Sequence, residues 1–532
     1  MQGSPCSGGD MHIPSMPFTI VVLAPFNSCD EAAWKEDPVV IDATTFNQVM
    51  ETLNPMFSIS VPRDICPEGR LDVTCSKMKD FHPDGLVQHN RYLMNLLDAR
   101  KFLKEAEQKG MTSDEILSGL KQWPDLPPLS IPDKPGPTER TPSSAVDNIL
   151  KMVALPQDSA APAEKTAPLT GQVDSIVQQN LHHIFSHDQF RRSEATWRGL
   201  RFLVKQAPAE GPVRIRIVPV SFDTMEETLE ELLEKLAYDL PSLIMVDLGF
   251  DTSARCHDLL EKIALFSETL LVPCLTWITP KFFHLDTWNE LNRLPYLPNY
   301  MDEMSFAKWR TLRGKSAARW VSLSCNGFST RYPYGPDNPT RLVQFVEGKP
   351  LWIAPVWAAG ALMVQSLSKC GWPTRFTAFS EVFLEDLPLH TDGTGKSLST
   401  EIFITDDRAD QLIRCGIMPL TGPYNADIAC MPLEATAGDA SLSYQLFVSI
   451  ISRFILWCRD HFGGEMTPME LEDTLKKAFS LFWQRSSQAE PEELEIAATK
   501  TGEDERVLVS LSIKPSRKVL PSADRVDMEF YW

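Results

Sequence analysis

No C-x-x-C pair occurs among the 11 cysteines, which are scattered from Cys6 to Cys458. An odd set without metal-ligand spacing excludes a disulfide framework and a zinc ribbon, and it points to buried reduced thiols in a cytosolic protein. Long apolar runs are missing as well. The longest, Leu351–Leu367, contains Pro355, Gly360 and Gln365 and falls short of the roughly 20 residues that a membrane span needs. No membrane insertion is expected. The opening MQGSPCSGGDMHIPSMPF has no cationic stretch ahead of an apolar one, so no secretory signal is read. Cations are in deficit, with Lys+Arg 51 against Asp+Glu 71 and a net charge of −20 at pH 7. Such a balance argues against nucleic acid as a partner, because a phosphate backbone is held by clustered cations. No internal repeat of 20–50 residues is found.

Chemistry-bearing motifs are equally scarce. There is no G-x-S-x-G, no G-x-G-x-x-G and no Cys–His pair in a recognisable context. Asp392–Ser397 reads DGTGKS, but position 390 is His where a phosphate loop has its first glycine. The stretch before it, Leu384–Leu389, is too short and Pro-broken to be the required strand. A surface loop accounts for those glycines. His182, His183 and His187 lie in HHIFSH without the Glu that a zinc hydrolase places after its first His. These histidines are expected at the rim of a helix whose Leu181, Ile184 and Phe185 pack inward. No catalytic, cofactor or metal residue is therefore assigned.

What is present is a chain of 532 residues, 43% apolar and 23% charged, enough for a large core and about three domains. Residues 17–123 read as a small α+β unit. Phe18–Phe26 is an apolar, β-branched strand. Phe46–Leu53 places Phe46, Val49, Met50 and Leu53 on one helical face. Phe57–Val61 and Leu71–Cys75 are strands about a Pro/Gly turn, and Leu86–Leu103 is a helix. Residues 124–171 form a linker; ten of the 41 prolines fall between Pro124 and Pro168, a composition that buries too little to offset ordering entropy. Within it, Ser144–Leu155 carries Val146, Ile149, Leu150 and Val153 at helical spacing. It reads as a transient helix, as a strap on its own domain, or as a docking helix for a partner. Residues 172–532 alternate helix and strand: helix Val173–Phe190, strand Val213–Val220, helix Asp223–Leu240, strand Leu243–Leu248, helix Asp258–Ser267, strand Leu270–Trp277. That alternation predicts a mixed, mostly parallel α/β sheet. Strands at Trp320–Leu323, Glu401–Thr405 and Arg506–Lys514 follow, with helices at Ala354–Leu367, Tyr444–Phe462 and Pro468–Arg485.

The stretch LHHIFSHDQFRRSEATWRGLRFLV (Leu181–Val204) resembles a signature of the large contractile-sheath subunit of type VI secretion systems (TssC/VipB). Phe190, Glu194, Trp197, Arg198, Gly199 and Leu200 fall on its matching positions. Trp309, Arg313, Ala318, Leu323, Arg331, Pro333, Tyr334 and Gly335 resemble a later block. Trp357–Ala361, Gly371–Trp372 and Glu401 through Leu420 continue the family's order. Upstream, FNQVMETLNP, DFHPD and LMNLLDARKFL resemble elements of the small sheath subunit (TssB/VipA). The chain is thus similar to both subunits fused. The large subunit's Gly-rich stretch before its central strand is absent, and Asp239–Phe250 stands in its place.

The resemblance implies a structural protomer of a bacterial, cytoplasmic sheath, neither enzyme nor cofactor protein, that polymerises with itself around a secretion tube and contracts. Its implied partners are the inner-tube protein, baseplate components and a AAA+ disassembly ATPase, for which Val146, Ile149, Leu150 and Val153 would be the docking stripe. The structural positions it marks are Trp197, Arg198, Gly199, Arg313, Arg331, Pro333, Tyr334 and Gly335. A divergent sheath-like accessory protein and a nucleotide-dependent enzyme using residues 393–397 are the alternatives. Three further expectations follow: residues 17–123 and 172–532 dock as one unit, Trp197 is buried, and copies join by strand addition at Phe18–Phe26 or Arg506–Lys514.

Overall fold

The computed structural model describes residue 13 and residues 16–27, 33–129, 169–208, 211–462, 466–486, 489–500 and 506–532. The helix expected at Ser144–Leu155 lies outside them, and so do Val146, Ile149, Leu150 and Val153.

The apolar run FTIVVLA becomes strand β1 (Phe18–Ala24), with all seven residues buried. A strand without an exposed face needs neighbours on both edges and cover on both faces, and β1 has them. It runs parallel to β5 (Val213–Pro219) on one side and to β6 (Leu243–Phe250) on the other. Short β2 (Val39–Ile41) closes the far edge of β5 in antiparallel sense. Beyond β6 come β7 (Cys274–Ile278), β8 (Val321–Cys325) and β11 (Ile417–Pro419), all parallel. The sheet order is β11-β8-β7-β6-β1-β5-β2.

Side chains alternate across β1. Phe18, Ile20, Val22 and Ala24 enter one core, and Val21 and Leu23 the other. The first core holds the remainder of the leading segment: helix α1 (Phe46–Leu53), the hairpin of β3 (Met56–Ser60) and β4 (Arg70–Thr74), α2 (Pro83–His89), α3 (Arg91–Lys109) and α4 (Ser113–Leu120). It also holds α5 (Leu169–Ser186) and α6 (Asp188–Gln206). The opposite core is built by α7 (Met225–Tyr238) and α8 (Ala254–Leu270), with α9 (Leu297–Tyr300) and α10 (Ala307–Arg313) beyond them. Apolar α11 (Pro355–Cys370) lies against α6 and the centre of the sheet. The hairpin of β9 (His390–Thr391) and β10 (Ser397–Leu398) and helix α12 (Asp406–Arg414) precede β11. A third core joins α13 (Leu442–His461) and α14 (Pro468–Ser486) to an antiparallel sheet of β12 (Glu493–Lys500), β13 (Val507–Lys514) and β14 (Val526–Tyr531).

The two segments therefore dock as expected, through a shared sheet. The same arrangement corrects the expected joints between copies. Phe18–Phe26 offers no open edge, since β1 is paired along both sides, and Arg506–Lys514 becomes the middle strand of its sheet. Other departures are local. Leu86–Leu103 is two helices, because Asn90 is extended and its Oδ1 accepts from the Leu93 N–H at 3.0 Å, starting α3 afresh. Val173–Phe190 breaks at His187, and α6 then runs unbroken past Trp197 to Gln206. Glu401–Thr405 forms no strand. The Asn326 side chain takes the place of a neighbouring strand there, donating to the Ile402 carbonyl at 2.9 Å and accepting from the Ile402 N–H at 3.0 Å. Of the described cysteines, Cys66, Cys75, Cys256, Cys274, Cys325, Cys415 and Cys458 are buried and free.

Candidate functional site

Helix α6 organises the marked positions because its residues recur every three or four places toward three different neighbours. Phe190 meets Phe57 and Phe81 of the leading segment at ring distances of 5.5 and 5.4 Å. Trp197 is fully buried, packs edge-on against Phe26 and Phe46 at 5.2 and 5.7 Å, and donates from Nε1 to the Phe26 carbonyl at 3.2 Å. It anchors the helix and also bonds the two segments together. Gly199 faces α11. A Cβ there would sit 2.5 Å from the Trp357 ring, so only glycine lets the two helices approach this closely.

The third neighbour is a buried charge cluster. Glu194 and Glu347 are shielded almost completely, and Arg331 lies between them. The Arg331 guanidinium donates to both Glu194 oxygens at 2.8 and 3.2 Å and to both Glu347 oxygens at 2.5 and 2.9 Å. Arg198, one turn along α6, adds a 2.7 Å bond to Glu194, and Arg191 reaches Glu347 at 3.4 Å. The Tyr334 N–H donates to Glu347 at 3.1 Å, and the Arg331 guanidinium stands 4.4 Å from the Tyr334 ring centre. Burial alone would push the Glu194 carboxyl up, but the Arg331 and Arg198 guanidiniums hold it below its ordinary range. Burial, with Glu194 nearby, pushes the Tyr334 hydroxyl up to about 12.

The cluster fastens the 331–350 loop to α6, and the leading segment closes over that loop. His82 packs edge-on against Tyr334 at 5.0 Å. Asp84 accepts from the Arg341 and Leu342 N–H groups, both at 2.9 Å. Arg100 pairs with Asp174 at 2.6 Å and donates to the Leu342 carbonyl at 3.2 Å. This is a structural joint, built to hold three pieces of chain at a fixed angle.

Of the positions marked in the sequence, the structure gathers Trp197, Arg198, Gly199, Arg331 and Tyr334 around α6. Pro333 and Gly335 lie on the same loop, where Gly335 exchanges backbone bonds with Asn338. Arg313 is not brought there; it ends α10 and donates to the Ala437 carbonyl at 3.0 Å. Sequence reasoning missed Glu347, which stands in the unremarkable FVEGKP. It also missed Asp247, for which a signal existed: one acid inside the apolar strand LIMVDLGF. Its carboxylate accepts from Thr196 Oγ1 and Trp357 Nε1 at 2.8 Å each and from Trp277 Nε1 at 2.9 Å. Burial raises its pKa, and those three donors restrain the rise.

The DGTGKS stretch is the turn of the β9–β10 hairpin. Asp392 Oδ1 accepts from Thr394 and Lys396 within the loop, and Lys396 stands over the Tyr424 ring at 4.3 Å. A strand, not a helix, follows it, so the phosphate-loop reading fails on geometry. Among the described residues no group of three or more His, Cys, Asp or Glu side chains could hold a metal, and no helix is long and apolar enough to cross a membrane.

Comparison with known proteins gives two family matches. The model of the VipB tail sheath N-terminal domain matches residues 169–240 and 241–437, about half of the chain. The model of the type VI secretion system VipA family matches residues 4–122. The type VI secretion system sheath protein TssC1 of Pseudomonas aeruginosa is 26% identical over 289 residues, which is 48% of this chain. The chain spans 58% of the length of that relative. Two cryo-EM structures of the anti-feeding prophage also align, the baseplate and the helical sheath in its contracted state. Their TM-scores are 0.35 and 0.34 at 10% identity, covering 63% and 62% of this chain and 76% of each matched chain.

Proposed function

Because the chain belongs to the VipB tail sheath family and carries a VipA-family segment ahead of that domain, we propose that it is a structural protomer of a contractile type VI secretion sheath, with both subunit types in one polypeptide. The observation that carries this reading is the placement of β1. The leading segment supplies an interior strand, between β6 and β5, to the sheet of the following one, so the two matched families form one folded body that can repeat as a single unit. The work of such a protein resides in contacts between copies. A joint fixed by buried ion pairs suits a part that transmits force and keeps its shape.

In this reading the protomer polymerises around an inner-tube protein, seats on a baseplate and works in the bacterial cytoplasm without catalysis or a cofactor. Recycling by a AAA+ ATPase would use Val146, Ile149, Leu150 and Val153 as a helix-in-groove stripe. Ile149→Asp with Leu150→Asp should then abolish ATPase binding while the melting temperature holds. The sheath reading is tested by negative-stain electron microscopy of the purified full chain. Rings or tubes are expected; a chain that stays monomeric at every concentration that assembles its relatives would overturn it.

A further inference from the structure

A cavity of about 390 Å³ opens at the amino ends of β1 and β6, where the sheet meets α13 and α14. Met16, Leu367, Trp372, Ile450 and Phe482 give it an apolar wall, and among the described residues Arg453 is its only charged lining residue. Arg453 donates to the Pro17 carbonyl at 3.2 Å and to the Ser242 hydroxyl, both neutral acceptors. Among the described residues no carboxylate lies within ion-pair distance of it. Asp239, an acid whose charge acts on it, is committed to Arg216, and Arg216 and Arg214 add positive charge of their own. Burial, only partly offset by Asp239, pulls the Arg453 pKa down to about 10, so it stays charged at neutral pH. Trp372, on the same wall, has a buried indole N–H without a hydrogen-bond partner among the described residues. A buried cation without an ion pair, on the wall of an apolar cavity of ligand size, fits one chemistry, an apolar chain that ends in a carboxylate.

We propose that this cavity binds an aliphatic monocarboxylate of the medium-chain fatty-acid class, with its carboxylate on Arg453 and its tail between Leu367, Ile450 and Phe482. The proposal does not rest on the sheath reading.

The test is calorimetric titration of the full chain with decanoate, followed in parallel by tryptophan fluorescence. Saturable one-to-one binding is expected, with decanol at least tenfold weaker because it lacks the charge-assisted bond. Ile450→Trp, which fills the cavity from the half-buried face of α13, should abolish binding and preserve the melting curve. Arg453→Gln should cost decanoate more than tenfold and leave decanol unchanged. If that variant unfolds, Ile450→Trp with the decanol comparison decides. Equal affinity for decanoate and decanol, or unchanged decanoate binding in Ile450→Trp, would overturn the proposal. So would binding of a short apolar peptide through its free carboxylate when decanoate does not bind.

Discussion

Arg331 satisfies two carboxylates at once, and none of the three charges has water to fall back on. Removing one member of a buried ion pair leaves its partners uncompensated, at a cost of about 3–5 kcal/mol. Arg331→Met should therefore lower unfolding free energy by about that amount in urea titrations, while the triple change Arg331→Met, Glu194→Gln, Glu347→Gln should recover part of it. A triple variant no better than the single one would show that geometry, not charge, limits the joint. Glu401 offers a cleaner reading of pH. Burial lifts its carboxyl from an ordinary 4.5 to about 7. A raised carboxyl pKa in the folded state means stability that is complete below pH 4.5 and is lost as pH rises toward and past 7. Glu401→Gln mimics the protonated form. Its stability should match the parent near pH 4.5 and exceed it by about 3 kcal/mol at pH 8, from 1.36 kcal/mol per unit. Parallel pH profiles for the two proteins would refute the assignment.

Among the elements, β13 has ladder partners on both sides, with Val509 opposite Ala498 and Phe530. Proline there removes a donor that neither neighbour can replace, and the unmade bond alone costs about 1–3 kcal/mol. Val509→Pro should open the three-stranded sheet, seen as lost amide-exchange protection across Glu493–Lys500 and Val526–Tyr531, before any effect on assembly. Retained protection would place the strand at an edge. Helix periods, the Pro and Gly stops and the hairpin of β3 and β4 were legible, because apolar spacing and turn chemistry are local. The break at Asn90 was not, since a helical apolar pattern continues across it and only the cap bond reveals the restart. The strand expected at Glu401–Thr405 failed for a different reason: the chain bends there, and the Asn326 side chain takes up the Ile402 backbone groups that a strand neighbour would have paired.

For the whole molecule, insertion of β1 makes the covalent linker dispensable once the chain has folded. Proteolysis within residues 130–168 should leave two fragments that co-elute on gel filtration and separate only in denaturant. Elution as two separate species in native buffer would contradict the shared sheet.

By itself the sequence determined the α/β class, the absence of recognisable catalytic motifs and the two sheath-like segments in order, because composition, periodicity and motif order are written along the chain. It also marked Trp197, Arg198, Gly199, Arg331 and Tyr334 without saying that they meet. Only the tertiary structure decided that β1 belongs between β5 and β6, that Glu347 completes the cluster and that Arg313 stands apart from it. A buried parallel strand reads as the same apolar run wherever it pairs, and the ion pairs that join Glu194 and Glu347 to Arg331 leave no mark of one another in the sequence. Both depend on what the folded chain brings alongside.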